Sequence, residues 1–223
     1  MEPDEFWESS FQEKSMMWGY DPADSAVHAA TLFAEHSFKD ILIPGIGYGR
    51  NARPFLDVGM NVTGIEISQT AIDMAQKIYG EKIRIFHGSI NEMPYDAAQY
   101  DGIFSYALIH LLNEAERNRF LEVSYSQLRP GGIMVLVTIA DTAPMFATGK
   151  KLTERLYETR PGVRLFFYDE ASIKREFGSY GLQLVRAVAE PTKHAPESAP
   201  LDYIWIECHK PRAPHNAHLA RQI

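Results

Sequence analysis

The chain has 223 residues, of which 45% are hydrophobic and 23% are charged, a balance typical of a soluble globular protein with one large domain. Its formal net charge of −7 disfavours nucleic acid as the main partner, because binding to phosphates requires a basic face. A single cysteine, Cys208, excludes an internal disulfide, and no apolar run reaches the ~18 residues that would span a membrane.

The N-terminal segment, residues 1–37, begins with the acidic stretch MEPDEFWESS, which lacks the basic and then apolar pattern of a secretion signal. We therefore expect a cytoplasmic protein with no membrane partner. Trp7, Trp18 and Tyr20 in this segment are open to two interpretations. They predict either an aromatic lid over an active site or hydrophobic packing of an N-terminal helix on a sheet.

From about residue 40, strand-like and helix-like segments alternate along the chain. Apolar runs predict five buried strands, at 40–44, 61–67, 82–88, 100–106 and 133–140. Helices are predicted between them, at 51–59, 69–80 and 113–128, and RPGG at 129–132 is predicted to be a turn. Because near-continuous apolar strands joined by helices are typical of parallel sheets, the pattern indicates a doubly wound α/β fold with helices on both faces.

The C-terminal third of the chain is less regular. A long excursion, 141–162, precedes a predicted helix at 170–181 and two predicted strands, 182–190 and 201–210, which we expect to pair antiparallel. Residues 211–223 have no strong pattern and are expected to form a flexible tail. No metal site is predicted, although this tail contains His215 and His218.

The exit of the first strand carries the strongest functional signal. Gly45, Gly47 and Gly49 follow ILIP at every second position and precede a predicted helix, which is typical of a backbone cradle for a ligand. Glu66, 17 residues after Gly49, ends the next strand, where its carboxylate can accept hydrogen bonds from a ribose diol. The alternative is a tight strand–helix turn without a ligand, beside a solvated acid.

The spacing of the glycines bears on the kind of cofactor. A nicotinamide or flavin site typically reads GxGxxG/A, whereas the last small position is Arg50 here and the third glycine comes one residue earlier. A P-loop is excluded because no GK[ST] follows. The pattern therefore favours an adenosine cofactor without a pyrophosphate. Arg50 and Arg53 are predicted to be solvated on a helix face.

The stretch ILIPGIGYGRNARPFLDVGMNVTGIEIS resembles the first two motifs of the class I S-adenosylmethionine-dependent methyltransferases. FHGSINEMPYDAAQYDGIFSYALIHLL and LRPGGIMVLV resemble later landmarks of that superfamily, in the same order. The resemblance covers about residues 38–140. It implies a Rossmann-like sheet of seven strands, six parallel and the last antiparallel, with S-adenosylmethionine as the cofactor.

The resemblance also implies which residues contact the cofactor. The glycine loop would line its methionine and ribose portions, Glu66 would bind the ribose, and Tyr106 would lie at the methionine end. Ser68 is predicted chiefly as a helix N-cap, with cofactor contact secondary. The positions implied for cofactor binding are Gly45, Ile46, Gly47, Gly49, Glu66, Ile67, Ser68, Ser89, Ile90 and Tyr106.

Three features depart from the common pattern of the superfamily. Pro44 replaces an acidic residue, as in the thiopurine and thiol methyltransferase branch. The segment FWESSFQEKSMMWGYDP is similar to the opening of that branch and of its tellurite-resistance relatives. Ser89 replaces a common aspartate, so the backbone of Ser89 and Ile90 is expected to contact the adenine.

Methyl transfer from a sulfonium is an in-line displacement, so the protein mainly orients the reactants and excludes water. A thiolate or amine acceptor needs no catalytic residue, whereas a hydroxyl acceptor usually needs a base. His110 and Tyr20 are the candidates for such a catalytic residue. For His110, on an apolar turn, a packed structural role is the alternative.

We predict one domain over residues 1–210, with an N-terminal helical lid (1–37) and a cofactor-binding core (38–140). A substrate-side insertion (141–168) and a C-terminal helix and strand pair (169–210) complete it. Met145, Phe146 and Tyr157 in the insertion favour a small-molecule acceptor over a protein or tRNA. The sequence leaves open a cofactor-binding protein without catalysis, a nicotinamide-dependent oxidoreductase, and any oligomeric state.

Overall fold

The computed structural model describes residues 3–160 and 162–212. The six helices are α1 (Pro3–Lys14), α2 (Asp24–Glu35), α3 (Arg53–Asp57), α4 (Gln69–Tyr79), α5 (Glu114–Gln127) and α6 (Glu170–Phe177). The first five strands are β1 (Asp40–Pro44), β2 (Asn61–Glu66), β3 (Ile83–His87), β4 (Tyr100–Tyr106) and β5 (Leu128–Ile139). The remaining strands are β6 (Lys150–Lys151), β7 (Leu156–Arg160), β8 (Val163–Phe166), β9 (Leu182–Glu190) and β10 (Leu201–His209).

The main sheet has seven strands in the order β3-β2-β1-β4-β5-β10-β9. Strands β1 to β5 pair in parallel, while β10 is antiparallel to both β5 and β9. Six strands therefore point in one direction and one in the other, which confirms the predicted Rossmann-like fold. The strand order reverses between β1 and β4, and ligands of open α/β sheets bind at the carboxyl ends of the strands at such a point.

The core lies on both faces of this sheet. Ile41 and Ile43 of β1 pack in one cluster with Phe33 of α2 and Phe55 of α3. Leu42, between them, packs in a second cluster with residues of α5 and α6. Because successive strand residues point to opposite faces, a strand covered on both sides needs an unbroken apolar run, as DILIP provides.

Two local predictions were wrong in detail. The predicted helix at 51–59 is shortened to α3, and RPGG at 129–132 is not a free turn but the first part of β5. Gly131 donates its N–H to the carbonyl of Lys210, and Lys210 donates to Gly132. This pairing with the chain after β10 joins the segment to the sheet, and it is a long-range contact that local turn propensity does not contain.

The excursion after β5 contains a second sheet, hereafter the small sheet, formed by the antiparallel strands β6, β7 and β8. Its strands are short. Strand β6 consists of two lysines, so no alternation of apolar and polar residues predicts a strand there. Within the described residues, no helix is long and apolar enough to cross a membrane.

Candidate cofactor and acceptor site

The glycine loop leaves β1 at the reversal point of the strand order. The N–H groups of Gly45 and Ile46 donate to the carbonyl of Ile65, at 2.9 and 3.2 Å, which ties the loop to β2. Ile46 is buried, and its side chain lies where a Cβ on Gly64 would come within 2.7 Å of it. Gly64 is therefore needed for the loop to pack on β2, a role that the sequence analysis missed.

The backbone at Gly49 leaves no room for a side chain. Its φ is +82°, and a Cβ there would lie 2.7 Å from the ring of Tyr79. The hydroxyl group of Tyr79 donates to the carbonyl of Gly49 at 2.9 Å. The close approach of α4 to the loop, and the left-handed backbone, both require glycine at this position.

Glu66 lies at the end of β2 and faces the loop with only 6% of its surface exposed. Its carboxylate accepts hydrogen bonds from the backbone N–H groups of Gly47, at 2.8 Å, and of Ile67 and Ser68, both at 2.9 Å. Burial raises the pKa of Glu66, and these hydrogen bonds oppose the shift. An ionised carboxylate offers about four acceptor positions, so one remains available to a ligand hydroxyl group.

Helix α1 lies over this region. Glu8 accepts hydrogen bonds from the hydroxyl groups of Ser68, at 2.7 Å, and Thr70, at 2.5 Å, at the start of α4. The hydrogen bond from Thr70 is the main reason why the pKa of Glu8 is lowered to about 2. Phe11 of the same helix is the nearest side chain to the position that a Cβ on Gly47 would take, at 3.7 Å.

An aromatic cluster surrounds Phe11. Trp7, Trp18 and Tyr48 lie around it, with the ring centroids of Trp18 and Tyr48 6.3 Å apart and nearly parallel. Tyr20, in contrast, is 70% exposed and does not join the cluster. The structure thus brings together two of the three aromatic residues predicted for a lid, and it leaves Tyr20 largely exposed.

The residues of this corner fit an adenosyl group chemically. A bare loop backbone faces a carboxylate with spare acceptor capacity, as ribose recognition requires. The ring of Phe11, however, lies against the loop. Two open cavities, of about 200 and 280 Å³, are lined by neither the glycine loop nor Glu66. Phe11 of α1 therefore borders the corner at Gly47.

Ser89 and Ile90 follow β3 at the same edge of the sheet. Gly88 donates its N–H to the carbonyl of Glu66 at 2.9 Å, so this turn is held beside the acid. Tyr95 donates its hydroxyl group to the carbonyl of Ser89 at 2.7 Å. The predicted adenine contacts and the predicted ribose contact are thus adjacent in space.

Tyr106, at the end of β4, and His110 lie on the other side of the glycine loop. The ring of Tyr203 on β10 is 5.5 Å from that of Tyr106 and 6.3 Å from that of His110, between centroids. Tyr203 and His110 are almost fully buried. Sequence reasoning missed Tyr203, because only the insertion of β10 next to β5 brings it to this edge.

The hydrogen bonds of His110 determine its chemistry. The backbone N–H of Ile139 can only donate, and it lies 3.2 Å from Nδ1, so this nitrogen is an acceptor and carries no proton. The neutral ring consequently has its proton on Nε2. Burial lowers the pKa of His110 to about 3. At neutral pH Nε2 therefore offers a hydrogen-bond donor, and the lone pair of Nδ1 is engaged by the N–H of Ile139.

We expect His110→Gln to reduce the loss of stability on acidification. Between pH 6.5 and 3 the unfolded chain binds a proton at His110 that the folded chain does not, so wild-type stability falls by about 1.4 kcal/mol per pH unit from this group. Urea unfolding at pH 7 and pH 4.5 should show the variant gaining about 2–3 kcal/mol relative to wild type. His28→Gln, an exposed control on α2, should leave the slope unchanged. A wild-type slope in His110→Gln would contradict the assignment.

The small sheet and the chain before it pack over the carboxyl ends of β4 and β5. Phe146, Tyr157 and Phe167 contact one another edge to face, with centroids 5.3 to 6.0 Å apart. They belong to the same apolar cluster as Tyr203, with Tyr106 packed against it. This side of the sheet is therefore enclosed by aromatic side chains.

Among the described residues, no group of three or more histidine, cysteine or acidic side chains is arranged to hold a metal ion. His215, His218 and most of the predicted tail lie outside the described residues.

Comparison with known proteins places these features in a family context. Residues 41–132 match the sequence model of a family described as a methyltransferase domain. The chain is 23% identical over 209 residues to the tRNA N(3)-cytidine methyltransferase METTL2 of Danio rerio, covering 86% of this chain and 59% of that protein. It is 25% identical over 177 residues to the O-methyltransferase resE of Aspergillus sclerotiorum, and the match covers 69% of this chain and 66% of that protein. The chain thus spans about three fifths to two thirds of these curated relatives.

Solved structures share the fold at low identity. The 1,6-didemethyltoxoflavin-N1-methyltransferase of Burkholderia thailandensis, solved with bound 1,6-didemethyltoxoflavin and S-adenosylhomocysteine, has a TM-score of 0.68 at 19% identity. The match covers 93% of this chain and 87% of that one. The CcbJ methyltransferase of Streptomyces caelestis has a TM-score of 0.69 at 20% identity, and the match covers 93% of this chain and 98% of that one. Residues 41–132 therefore resemble a methyltransferase domain, and the chain shares the fold of these solved methyltransferases.

Proposed function

We propose that this protein transfers a methyl group from S-adenosylmethionine to a small-molecule acceptor by in-line displacement. The observation that carries the proposal is the enclosure of the sheet's carboxyl edge by Phe146, Tyr157 and Phe167, above Tyr106 and Tyr203. An enclosed aromatic surface suits a small acceptor better than a macromolecule. The cofactor supplies the electrophilic methyl group, and the chain's residues bind, orient and exclude water.

The cofactor would be held by the corner between β1 and β2. The backbone of the glycine loop would line its methionine and ribose portions, and Glu66 would accept a ribose hydroxyl group. Backbone groups of Ser89 and Ile90 would contact the adenine. The other residues that we expect to contact the cofactor are Ile46, Ile67, Ser68 and Tyr106.

Helix α1 would act as the lid of this site. Glu8 fastens it to the start of α4, and Phe11 lies against the glycine loop. We expect Glu8→Gln to speed S-adenosylhomocysteine binding and release several-fold, because the hydrogen bonds to a charged group weaken. Stopped-flow fluorescence of Trp7 and Trp18 measures both rates. As a control, Glu13→Gln, exposed on the same helix, should bind and release the ligand at wild-type rates. Unchanged rates in Glu8→Gln would contradict the assignment of α1 as a lid.

Transfer of a radiolabelled methyl group from S-adenosylmethionine to a panel of acceptors tests the function. The panel includes thiols, thiopurines and tellurite, because Pro44 and the N-terminal segment resemble the branches that methylate them. Amines and phenols complete it. Labelled product from at least one small acceptor is expected. Binding of S-adenosylhomocysteine without turnover on any acceptor would favour a non-catalytic binding protein instead.

A nicotinamide cofactor is the less favoured alternative, because the family match is to a methyltransferase domain. A ligand that binds only the folded state raises the melting temperature. We expect S-adenosylhomocysteine, but not NAD, to stabilise the protein. Stabilisation by NAD alone would reverse this conclusion.

An RNA acceptor is a second candidate, favoured by the tRNA methyltransferases among the relatives. The small sheet carries four exposed basic residues, Lys150, Lys151, Arg160 and Arg164. The net charge of −7 and the neighbouring Glu154 and Glu158 oppose this candidate. Transfer to tRNA that is lost in Lys150→Glu/Arg164→Glu, with no small acceptor active, would favour RNA.

A further inference from the structure

The main sheet ends in two edge strands of different character, β3 and β9. An edge strand exposes unpaired N–H and C=O groups, and monomeric proteins protect such edges with short strands or charged side chains. Strand β3 has five residues, and Arg84 and His87 on it are exposed. Strand β9 has nine residues, and within the described part of the chain it pairs only with β10. The edge of β9 is therefore the one left open to a further strand.

The middle of β9 is exposed and carries little charge. Residues 183–187 are all exposed, and the apolar side chains of Leu184 and Val185, on opposite faces, are 42% and 39% exposed. Arg186 has the one charge of this stretch. Its guanidinium carbon lies 4.8 Å from the centroid of the Trp205 ring on the neighbouring β10, so the side chain folds back over the sheet. The charge of Arg186 therefore does not cover the open edge.

Contacts at the end of β9 hold the strand in place. The carboxylate of the buried Glu190 accepts a hydrogen bond from the hydroxyl group of Ser25 at 2.5 Å. It also accepts hydrogen bonds from the backbone N–H groups of Asp24 and Ser25 at the start of α2. Pro191 follows directly and has no N–H, so a ladder of hydrogen bonds along the open edge ends there. The edge is thus ordered before any partner binds, which lowers the entropic cost of pairing.

A second copy of β9 fits this edge when the two strands run antiparallel about a two-fold axis, the commonest symmetry of protein dimers. Like charges directly opposite each other on neighbouring strands are destabilising, so a register centred on Arg186 is excluded. The adjacent registers, centred on Val185 or Ala187, place neutral side chains at the axis. They pair residues 182–188 or 184–190 of one copy with the same residues of the other, all of them within the strand.

We propose that the protein forms a two-fold symmetric dimer in which β9 of one copy pairs antiparallel with β9 of a second copy. Main-chain hydrogen bonds join the two seven-stranded sheets into one continuous sheet. The exposed side chains of Leu184 and Val185 lose contact with solvent at the same interface. The inference does not rest on the proposed function, because β4, β5 and β10 separate β9 from the glycine loop.

Sedimentation equilibrium of the full-length protein tests the dimer. The double variant Val185→Lys/Ala187→Lys should weaken association at least tenfold, because in either register one of the two lysines lies opposite its own copy. Val58→Lys/Ile78→Lys adds the same charge at two other exposed apolar positions and should dimerise as wild type. A wild-type protein that is monomeric at about 100 μM, or an undiminished dimer in a folded Val185→Lys/Ala187→Lys variant, overturns the proposal.

Cysteine cross-linking tests the register and remains informative if the lysine variant does not fold. A cysteine at the axis lies opposite itself, so either Val185→Cys or Ala187→Cys should form a disulfide-linked dimer on oxidation. Gln183 lies opposite Ala187 in one register and opposite Pro191 in the other, so Gln183→Cys should form none. The single native cysteine, Cys208, is buried and provides the wild-type control. No linked dimer from either Val185→Cys or Ala187→Cys overturns the proposal and leaves the proposed function standing.

Discussion

Glu66→Ala should weaken the binding of S-adenosylhomocysteine about 10- to 150-fold, which corresponds to about 1.5–3 kcal/mol for hydrogen bonds to a charged group. Two effects combine in this variant. A ribose hydroxyl group loses its acceptor, and the N–H groups of Gly47, Ile67 and Ser68 lose the carboxylate that they share. The second effect loosens the glycine loop even before a ligand binds.

A matched pair of ligands separates these effects. Wild type should prefer 5′-methylthioadenosine to its 2′,3′-dideoxy analogue, and Glu66→Ala should lose that preference while weakening both. Asp73→Ala, an exposed carboxylate on α4, controls for the loss of negative charge. A folded Glu66→Ala variant that keeps the full preference for the ribose ligand would show that Glu66 supports the loop without contacting the ribose.

The sequence predicted correctly the bounds of strands that are buried on both faces along their whole length. Strands β1 and β4 begin and end where the apolar runs do, because both faces are covered by helices. Ser68 was predicted as an N-cap, and its Oγ accepts a hydrogen bond from the N–H of Ala71 at 3.1 Å. Such contacts lie within a few residues of each other, so a local pattern contains them.

The features that were missed depend on residues far apart in the chain. The pairing of Gly131 with Lys210 turned a predicted bend into a strand, and Glu8 reaches Ser68 across 60 residues. Gly64 is explained only by the side chain of Ile46, which arrives from the neighbouring loop. The candidate site was therefore predictable in its motifs, whereas the helix that covers it and Tyr203 beside it required the tertiary structure.

Among the substitutions considered, replacement of Arg117 is expected to lower the free energy of unfolding most. It is 3% exposed, and its Nε and Nη2 each donate to the Glu176 carboxylate at 3.0 Å, joining α5 to α6. Its Nη1 donates to the carbonyl of Leu112, and the hydroxyl group of Tyr168 donates to Glu176 at 2.8 Å. The guanidinium also lies 3.9 Å from the centroid of the Phe166 ring. The hydrogen bonds of this pair are therefore made within the protein interior, and the exposed Arg175 adds an ion pair to Glu176 at 3.7 Å.

Arg117→Met should lower the free energy of unfolding by about 3 kcal/mol, because the buried Glu176 carboxylate loses its two charged hydrogen bonds at 3.0 Å and, of its ion pairs, keeps only the longer one with Arg175, at 3.7 Å. The double variant Arg117→Met/Glu176→Leu should recover part of that loss, since it removes both charges and fills similar volume. Lys174→Met breaks only an exposed ion pair with Glu170 and should leave the free energy of unfolding close to that of wild type. Urea unfolding monitored by circular dichroism measures all three. A loss below about 1 kcal/mol in Arg117→Met would mean that water reaches Glu176, and that the packing of α6 on α5 depends on Phe177 and its apolar neighbours instead of this ion pair.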